Sequence, residues 1–393
     1  MKTVKTVKFL LKPLDEDNFR EFQRILAEYK IHLLYWYRKL NYKVLKKADR
    51  TTVHRIIYHR LPKNWSSGLK ASLTNQLVEF INLSAVQKKR LIPRLNIRLH
   101  KAAWKIDNDI IIVKYGARGK STKFKLHGNS QRLKILLKEA RIGEPTIAQK
   151  NSKLYLCIPL VKRINIPRLN DYEPPLLLAA SDINSLHGFT TTFVLFKNWD
   201  EYEVLDTVRA KPKSITSRFK ALRFYQSRKC ESRVKQIWNN IKNQRRDSVE
   251  KLSYEIVEKT LKLAERYRAT PVIIFEDLSG WNEKSLKKML RDKGYRGKML
   301  KWLAQNINST LRGVAKRTEQ KALWHGIRTI YVSAKGTSKY CHICGARLKQ
   351  VSNGRYRVMR CRNKHFVERD FNAAVNIAIK AVKLILKLKT SNL

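Results

Sequence analysis

Four potential metal ligands stand close together late in the chain. They are Cys341-x-x-Cys344 and, after the sixteen residues 345–360, Cys361-x-x-x-His365. Two close pairs separated by a loop suit one tetrahedral metal ion, and a segment tied in this way folds around it. Asn353-Gly354 in the loop is a hairpin-turn signal, so a zinc ribbon over 335–366 is the simplest expectation. A Zn2+ ion held by four protein ligands has no open position and is structural. His342 and His325 are alternative nitrogen donors, and the ordinary alternative is a set of free thiols. Cys157 and Cys230 stand alone and read as plain thiols. Five cysteines, three of them clustered, favour a metal over disulfides in a reducing compartment.

Around this insert, strand-like and helix-like segments alternate, which predicts an α/β layer architecture. Leu176–Ala180, Phe189–Phe196, Pro271–Phe275 and Ile327–Ser333 read as strands, with a long basic helical stretch over 214–268. Asp182 follows the first of these strands and Glu276 follows the third. Asp370 opens a last helix whose apolar stripe includes Ala374, Ile377, Ala378 and Val382. Neighbouring strands of one sheet would bring Asp182 and Glu276 to the same end, and a helix packed on that sheet could add Asp370. Three carboxylates that converge repel one another unless a cation sits between them. Oxygen ligands suit Mg2+ or Mn2+, and such ions promote phosphodiester hydrolysis. Taken singly, Asp182 and Glu276 are ordinary turn residues and Asp370 an ordinary helix cap. Asp277 is expected to face away from Glu276, because successive residues of an extended chain alternate faces.

The front of the chain has a different texture. Lys2–Leu11 reads as a strand stopped by Pro13, and Phe19, Phe22, Leu26, Tyr29, Leu33, Trp36 and Leu40 form a helical stripe behind Asp15, Asp17 and Asn18. Helical sequence continues to a basic boundary at Lys88-Lys89-Arg90 and Pro93. Short β-type runs follow at Ile110–Tyr115, Thr122–His127 and Leu154–Leu160. The expected division is a β-barrel over 1–14 and 96–175, interrupted by a helical segment over 15–95. An α/β domain over 176–334 and 367–393 then carries the zinc ribbon. Trp36, Trp65 and Trp104 are candidate nucleic-acid contacts for which a core role is the favoured reading. Trp281 and Trp302 are placed near the acid-bearing cleft.

Charge narrows the partners. Lys plus Arg total 84 against 31 Asp plus Glu, a net +53 over 393 residues. A charge of that size opposes compaction unless a polyanion neutralises it. Nucleic acid does so, because each phosphate contact releases counterions. With 43% hydrophobic residues the chain can still bury real cores, and its length suits two or three domains. No apolar run reaches the roughly 20 residues needed to span a membrane. Met1–Leu11 alternates lysine with apolar residues and lacks a continuous apolar core, so no signal peptide is expected and the expected location is the cytoplasm of a prokaryotic cell.

The order of parts resembles the transposon-associated TnpB family, relatives of the type V CRISPR effectors. The resemblance rests on Phe275-Glu276-Asp277-Leu278, on Thr337-Ser338-Lys339-Tyr340-Cys341-x-x-Cys344-Gly345, and on Glu368-Arg369-Asp370-x-Asn372-Ala373-Ala374. It covers about residues 176–393 by motif and the front half by layout alone. It implies a RuvC-like nuclease domain of RNase H-type fold with an inserted zinc ribbon, preceded by a β-barrel wedge domain interrupted by a helical recognition domain. It implies Asp182, Glu276 and Asp370 as catalytic, metal-binding carboxylates and Cys341, Cys344, Cys361 and His365 as zinc ligands. It further implies an RNA-guided DNA endonuclease that takes a transposon-derived guide RNA and a double-stranded DNA target, with a monomer favoured. A guided DNA-binding protein without cleavage and an unguided nuclease or transposase accessory protein are the alternatives. The chain departs from the family pattern at Ala180 and Asn184, at Glu368, and at His365, where the family has two Gly, Asp and Cys.

Overall fold

The computed structural model describes the chain apart from residues 1, 41–48, 87–95, 129, 151–152, 185–187, 211–215, 278–282, 293, 295, 352–357 and 392–393. The boundary at Lys88–Arg90 and Pro93, the Asn353-Gly354 turn and Trp281 lie outside the described residues, as do the side chains of Asn184 and Trp302. Two compact units divide the chain, Lys2–Arg163 and Ile164–Leu393.

In the first unit, buried Val7, Phe9 and Leu11 alternate with exposed Thr6, Lys8 and Lys12 and half-buried Leu10, which makes β1 (Lys2–Pro13) a half-buried strand. Asp15 then accepts the Asn18 amide at 3.0 Å and caps α1 (Glu16–Lys39). Helices α2 (Arg50–Ile57) and α3 (Ser67–Val86) follow. The remaining strands are β2 (Ile97–Arg98), β3 (Trp104–Asp107), β4 (Ile110–Lys114), β5 (Ser121–His127), β6 (Arg141–Ile142), β7 (Thr146–Lys150) and β8 (Lys153–Arg163), with α4 (Ser130–Leu137) between β5 and β6. They pair in the order β2-β7-β8-β1-β5-β4-β3, with β6 also on β8.

The described helices α1–α3 and the strands lie within one compact unit. Phe22 of α1 meets Phe124 of β5 at 5.6 Å and Tyr115 at 5.7 Å, so helices and sheet share one core. The sheet is also an open path among the described residues, because β2 and β3 stand at opposite ends of the pairing order. Trp36 and Trp65 are core side chains, and Trp65 stacks on Tyr29 at 5.7 Å. Trp104 is half-buried on β3.

The second compact unit spans Ile164–Leu393. Tyr172 is only 2% exposed and packs in the same core cluster as Leu176 and Leu178, which draws residues from Ile164 onward into this unit. Its sheet has the order β11-β10-β9-β12-β13. The strands are β9 (Leu176–Asn184), β10 (Gly188–Phe196), β11 (Tyr202–Ala210), β12 (Thr270–Asp277) and β13 (Arg328–Ser333). β9, β10 and β11 run antiparallel, whereas β12 lies parallel to both β9 and β13. The basic stretch over 214–268 is two helices, α5 (Thr216–Ser227) and α6 (Glu231–Tyr267), broken where Lys229 takes a φ of 53°. α7 (Glu283–Asp292) and α8 (Gly297–Trp324) follow β12, and α9 (Arg369–Thr390) closes the unit.

Period-two alternation splits this sheet into two faces. Leu177, Ala179, Ile273 and Phe275 pack against Ile256, Val257 and Ala264 of α6 and Leu311, Val314 and Ala315 of α8. Leu176, Leu178, Ala180, Val272 and Ile274 pack against Ile377, Ala378, Ala381, Val382 and Ile385 of α9. β10 is buried along its whole length because both faces are covered. Beyond β13, three short strands, β14 (Leu348–Gln350), β15 (Val358–Cys361) and β16 (Phe366–Glu368), form a small antiparallel sheet that leads directly into α9.

Ile274 sits fully buried in the middle of this three-layer stack. Ile274→Ala leaves a cavity between β12 and α9 and is expected to lower the stability of this unit by about 2–4 kcal/mol, read by chemical denaturation.

Candidate metal centres

The alternation that builds the core also aims the acids. Leu176, Leu178 and Ala180 face α9, so Asp182 does too. Val272 and Ile274 face α9, so Glu276 follows them. The parallel register pairs Phe275 with Ser181, which sets Glu276 and Asp182 at the same level, one residue further along. Asp370 lies in the first turn of α9, four residues before Ala374 and seven before Ile377 on the same helical face. Asp182, Glu276 and Asp370 are 9%, 7% and 8% exposed. Asp277 is exposed, as alternation requires.

Such burial is costly for charge. Desolvation first, then the charges of Glu276 and Asp370, push the Asp182 carboxyl well above the usual carboxylate range. Burial also raises Glu276, although hydrogen bonds from Thr337 and Asp182 and the nearby charges of Lys380 and Arg369 hold it partly down. Arg369 Nη1 lies 3.9 Å from Asp370 Oδ1. Three buried oxygen-donor groups facing one another are a donor set for a hard divalent cation.

Several side chains around these acids were not singled out by the sequence reading. Thr337, itself buried, donates from Oγ1 to Glu276 Oε1 at 3.2 Å. Three residues of α9 at i, i+4 and i+8 hold the segment carrying Thr337. Asn372 accepts the His342 amide at 2.9 Å and donates to Tyr340 O at 2.8 Å. Asn376 donates to Thr337 O at 2.8 Å and Tyr340 O at 2.7 Å. Lys380 donates to Ser333 O at 2.9 Å. The signal was present as polar residues at helical spacing beside an apolar stripe. Glu368 has a capping role that its place in the sequence motif did not suggest. Its carboxylate accepts the amides of Asp370 (3.1 Å) and Phe371 (2.9 Å) and pairs with Arg209 at 3.0 Å.

Cys341, Cys344, Cys361 and His365 converge, with all four ligand atoms within 4.8 Å of one another. Among the described residues this is the one group of three or more such side chains drawn so tight. Cys344 Sγ–Cys361 Sγ is 3.7 Å, Cys341 Sγ–His365 Nδ1 3.8 Å and Cys361 Sγ–His365 Nδ1 3.5 Å. A tetrahedron with metal–sulfur bonds of about 2.3 Å has edges of roughly 3.8 Å, so the group fits one metal ion, with His365 presenting Nδ1. Two tight turns shape it. Gly345 takes a φ of 69° as its amide reaches Cys341 O at 2.8 Å. Lys364 takes a φ of 62° as its amide reaches Cys361 O at 3.1 Å. His342 is engaged elsewhere: Tyr202 Oη lies 3.1 Å from its Nδ1. His325 terminates α8 and is outside the group.

Buried like charges raise the energy of the metal-free fold. Asp182→Asn removes one of them at nearly constant shape. It is expected to raise the thermal midpoint of zinc-loaded protein free of Mg2+ and Mn2+ at neutral pH by roughly 2–4 °C, as about 1 kcal/mol does in a unit of this size. The same variant is expected to lose the further rise that Mn2+ gives wild type, measured by calorimetry.

The Cas12f1-like TNB domain family matches residues 312–377, a stretch that holds the cysteine–histidine cluster, Thr337, Asp370, Asn372 and Asn376. A CRISPR-associated endodeoxyribonuclease, Cas12f2 of a Micrarchaeota archaeon, is 39% identical over 77 residues, 18% of this chain and 14% of that protein. Two TnpB-like proteins of Methanocaldococcus jannaschii are 30% identical over 136 residues and 27% identical over 160 residues. These matches cover 34% and 39% of this chain and 42% and 61% of theirs. Among solved structures, a Cas12f1–sgRNA–target DNA complex aligns over 95% of this chain and 98% of its own at 14% identity, with a TM-score of 0.34. CasPhi-2 bound to crRNA aligns over 70% of this chain and 61% of its own at 11% identity, with a TM-score of 0.43. Family match and sequence relatives agree with each other, and the chain is related to the TnpB-like proteins and the type V effectors.

Proposed function

We propose that this protein is an RNA-guided DNA endonuclease that hydrolyses phosphodiester bonds at Asp182, Glu276 and Asp370. The observation that carries the reading is the convergence of these three buried carboxylates on the α9 face of one sheet, in a chain of net charge +53. Lysines and arginines hold the polyanion, while the acids supply a place where a hard divalent cation meets it. Mg2+ or Mn2+ bound there supplies Lewis acidity to the attacking water and to the leaving 3′ oxygen. The protein's part is to fix the ligands: β9 and β12 hold Asp182 and Glu276 at one level, and the start of α9 brings Asp370 over them. Arg369, beside Asp370, offers a positive group to a scissile phosphate.

Zn2+ is the ion suited to three thiolates and an imidazole, held by Cys341, Cys344, Cys361 and His365 in a structural role. The guide is the part of the reading that rests on kinship. One relative carries the name of a CRISPR-associated endodeoxyribonuclease, and guided enzymes delegate sequence recognition to base pairing while the protein holds the heteroduplex backbone. No helix among the described residues is long and apolar enough to cross a membrane.

Expression with native flanking DNA, purification and sequencing of bound RNA test the guide. One discrete RNA species is expected, and a purified protein carrying none overturns the guided reading. With that RNA, wild type is expected to cut a matched duplex. Asp182→Ala, Glu276→Ala and Asp370→Ala are each expected to lower the rate at least 1,000-fold, roughly the loss of one essential member of a catalytic set. Cleavage by Asp182→Ala at the wild-type rate removes the carboxylates from catalysis. Elemental analysis is expected to give about one zinc per chain in wild type and far less in Cys361→Ser.

A further inference from the structure

Residues 333–341 run from the end of β13 past Glu276 to the cysteine–histidine cluster, and the structure shows how that piece is held. Asn372, Asn376 and Lys380 project from successive turns of α9 and grip its carbonyls. The Asn376 grip is on Thr337 itself, at 2.8 Å. Thr337 is 3% exposed, and its hydroxyl lies 3.2 Å from Glu276 Oε1 and 3.0 Å from Ala334 O. A hydroxyl has one proton, so it serves one acceptor at a time. An ionised carboxylate is the stronger acceptor. Ala334 O, at 3.0 Å, is the other acceptor within reach of that proton, and Glu276 competes with it.

Resting on the carboxylate-site reading above, we propose that Thr337 is a positioning residue: its hydroxyl fixes one oxygen of Glu276 and so presents the other to the divalent cation. The Asn376 side chain sets where that hydroxyl stands. Thr337 touches neither substrate nor cation. Outer partners of this kind orient a carboxylate ligand, and their removal weakens metal binding 10- to 100-fold. The geometry also explains why the segment leading into the cysteine cluster packs on α9 and not in solvent. The same three or four residues that lead to Cys341 also hold a ligand of the second metal in place.

The test uses full-length, zinc-loaded protein and Mn2+ as the probe, with binding followed by electron paramagnetic resonance. Wild type is expected to bind Mn2+ at a site that Asp182→Asn abolishes. Thr337→Val keeps the shape and removes the hydroxyl. It is expected to raise the Mn2+ Kd about tenfold, with zinc content and the melting of zinc-loaded, Mn2+-free protein unchanged. Thr337→Ser restores the hydroxyl and is expected to return the Kd to within about twofold of wild type. Where Thr337→Val fails to fold, Asn376→Ala, at a half-exposed position, reads the same coupling and is expected to weaken Mn2+ severalfold. Wild-type Mn2+ affinity in Thr337→Val, or in Asn376→Ala should that variant be needed, overturns the positioning role, as does a Thr337→Ser as weak as Thr337→Val. Undiminished binding by Asp182→Asn is a different failure: it overturns the carboxylate site itself, and the role of Thr337 with it.

Discussion

β9 and β12 lie side by side and run parallel, and the C-terminal unit is organised by that pairing. Parallel pairing puts equivalent residues at one level, and the pleat then sends alternate side chains to the same layer. Leu176, Leu178, Ala180 and Asp182 form one such row; Val272, Ile274 and Glu276 form the next. The apolar members of both rows are covered by α9. The acids at the row ends are therefore drawn under the beginning of the same helix, where Asp370 meets them. Burial of the core and assembly of the acid site are one event. The repulsion among the acids is the part of that event which opposes folding, and hydrophobic contact along the rest of the rows offsets it.

Much of this was legible in the sequence, and for identifiable reasons. Apolar runs marked β9, β10, β12 and β13, with Pro174-Pro175 ahead of β9 and Pro271 near the start of β12 as punctuation, and β9 and β12 show the near-continuous apolar record of strands covered on both faces. The cysteine spacing marked the metal group, because short intervals fix which ligands can meet. β11 escaped notice because it is an edge strand in which Glu203 and Asp206 interrupt the pattern. The break between α5 and α6 escaped because a single left-handed residue, Lys229, leaves no compositional trace. In the first unit, the helical stripe of α1 was correctly placed. Its partner was not, since the sequence does not say whether Phe22 packs on another helix or on β5.

The polar residues of α9 mark a different kind of limit. Asn372, Asn376 and Lys380 share a helical face, but spacing alone does not reveal that the face grips backbone carbonyls. That fact depends on where the chain between β13 and the small three-stranded sheet happens to run. Glu368 shows the same thing at smaller scale. Its carboxylate caps two amides of α9 and pairs with Arg209 of β11, so it ties the start of the helix to the far edge of the sheet, two strands beyond Asp182.

Helix α9 thus faces two ways. One side is moulded to the sheet, and the other is threaded through the carbonyls of residues 333–340. A helix gripped on one side can slide by a residue at modest cost, trading one knob for the next. One gripped on both sides by different periodicities cannot, since 1.5 Å of travel per residue would have to satisfy apolar knobs and amide donors together. The position of Asp370 along the helix axis is consequently a single-valued quantity, much as a key cut on both edges enters its lock at one depth.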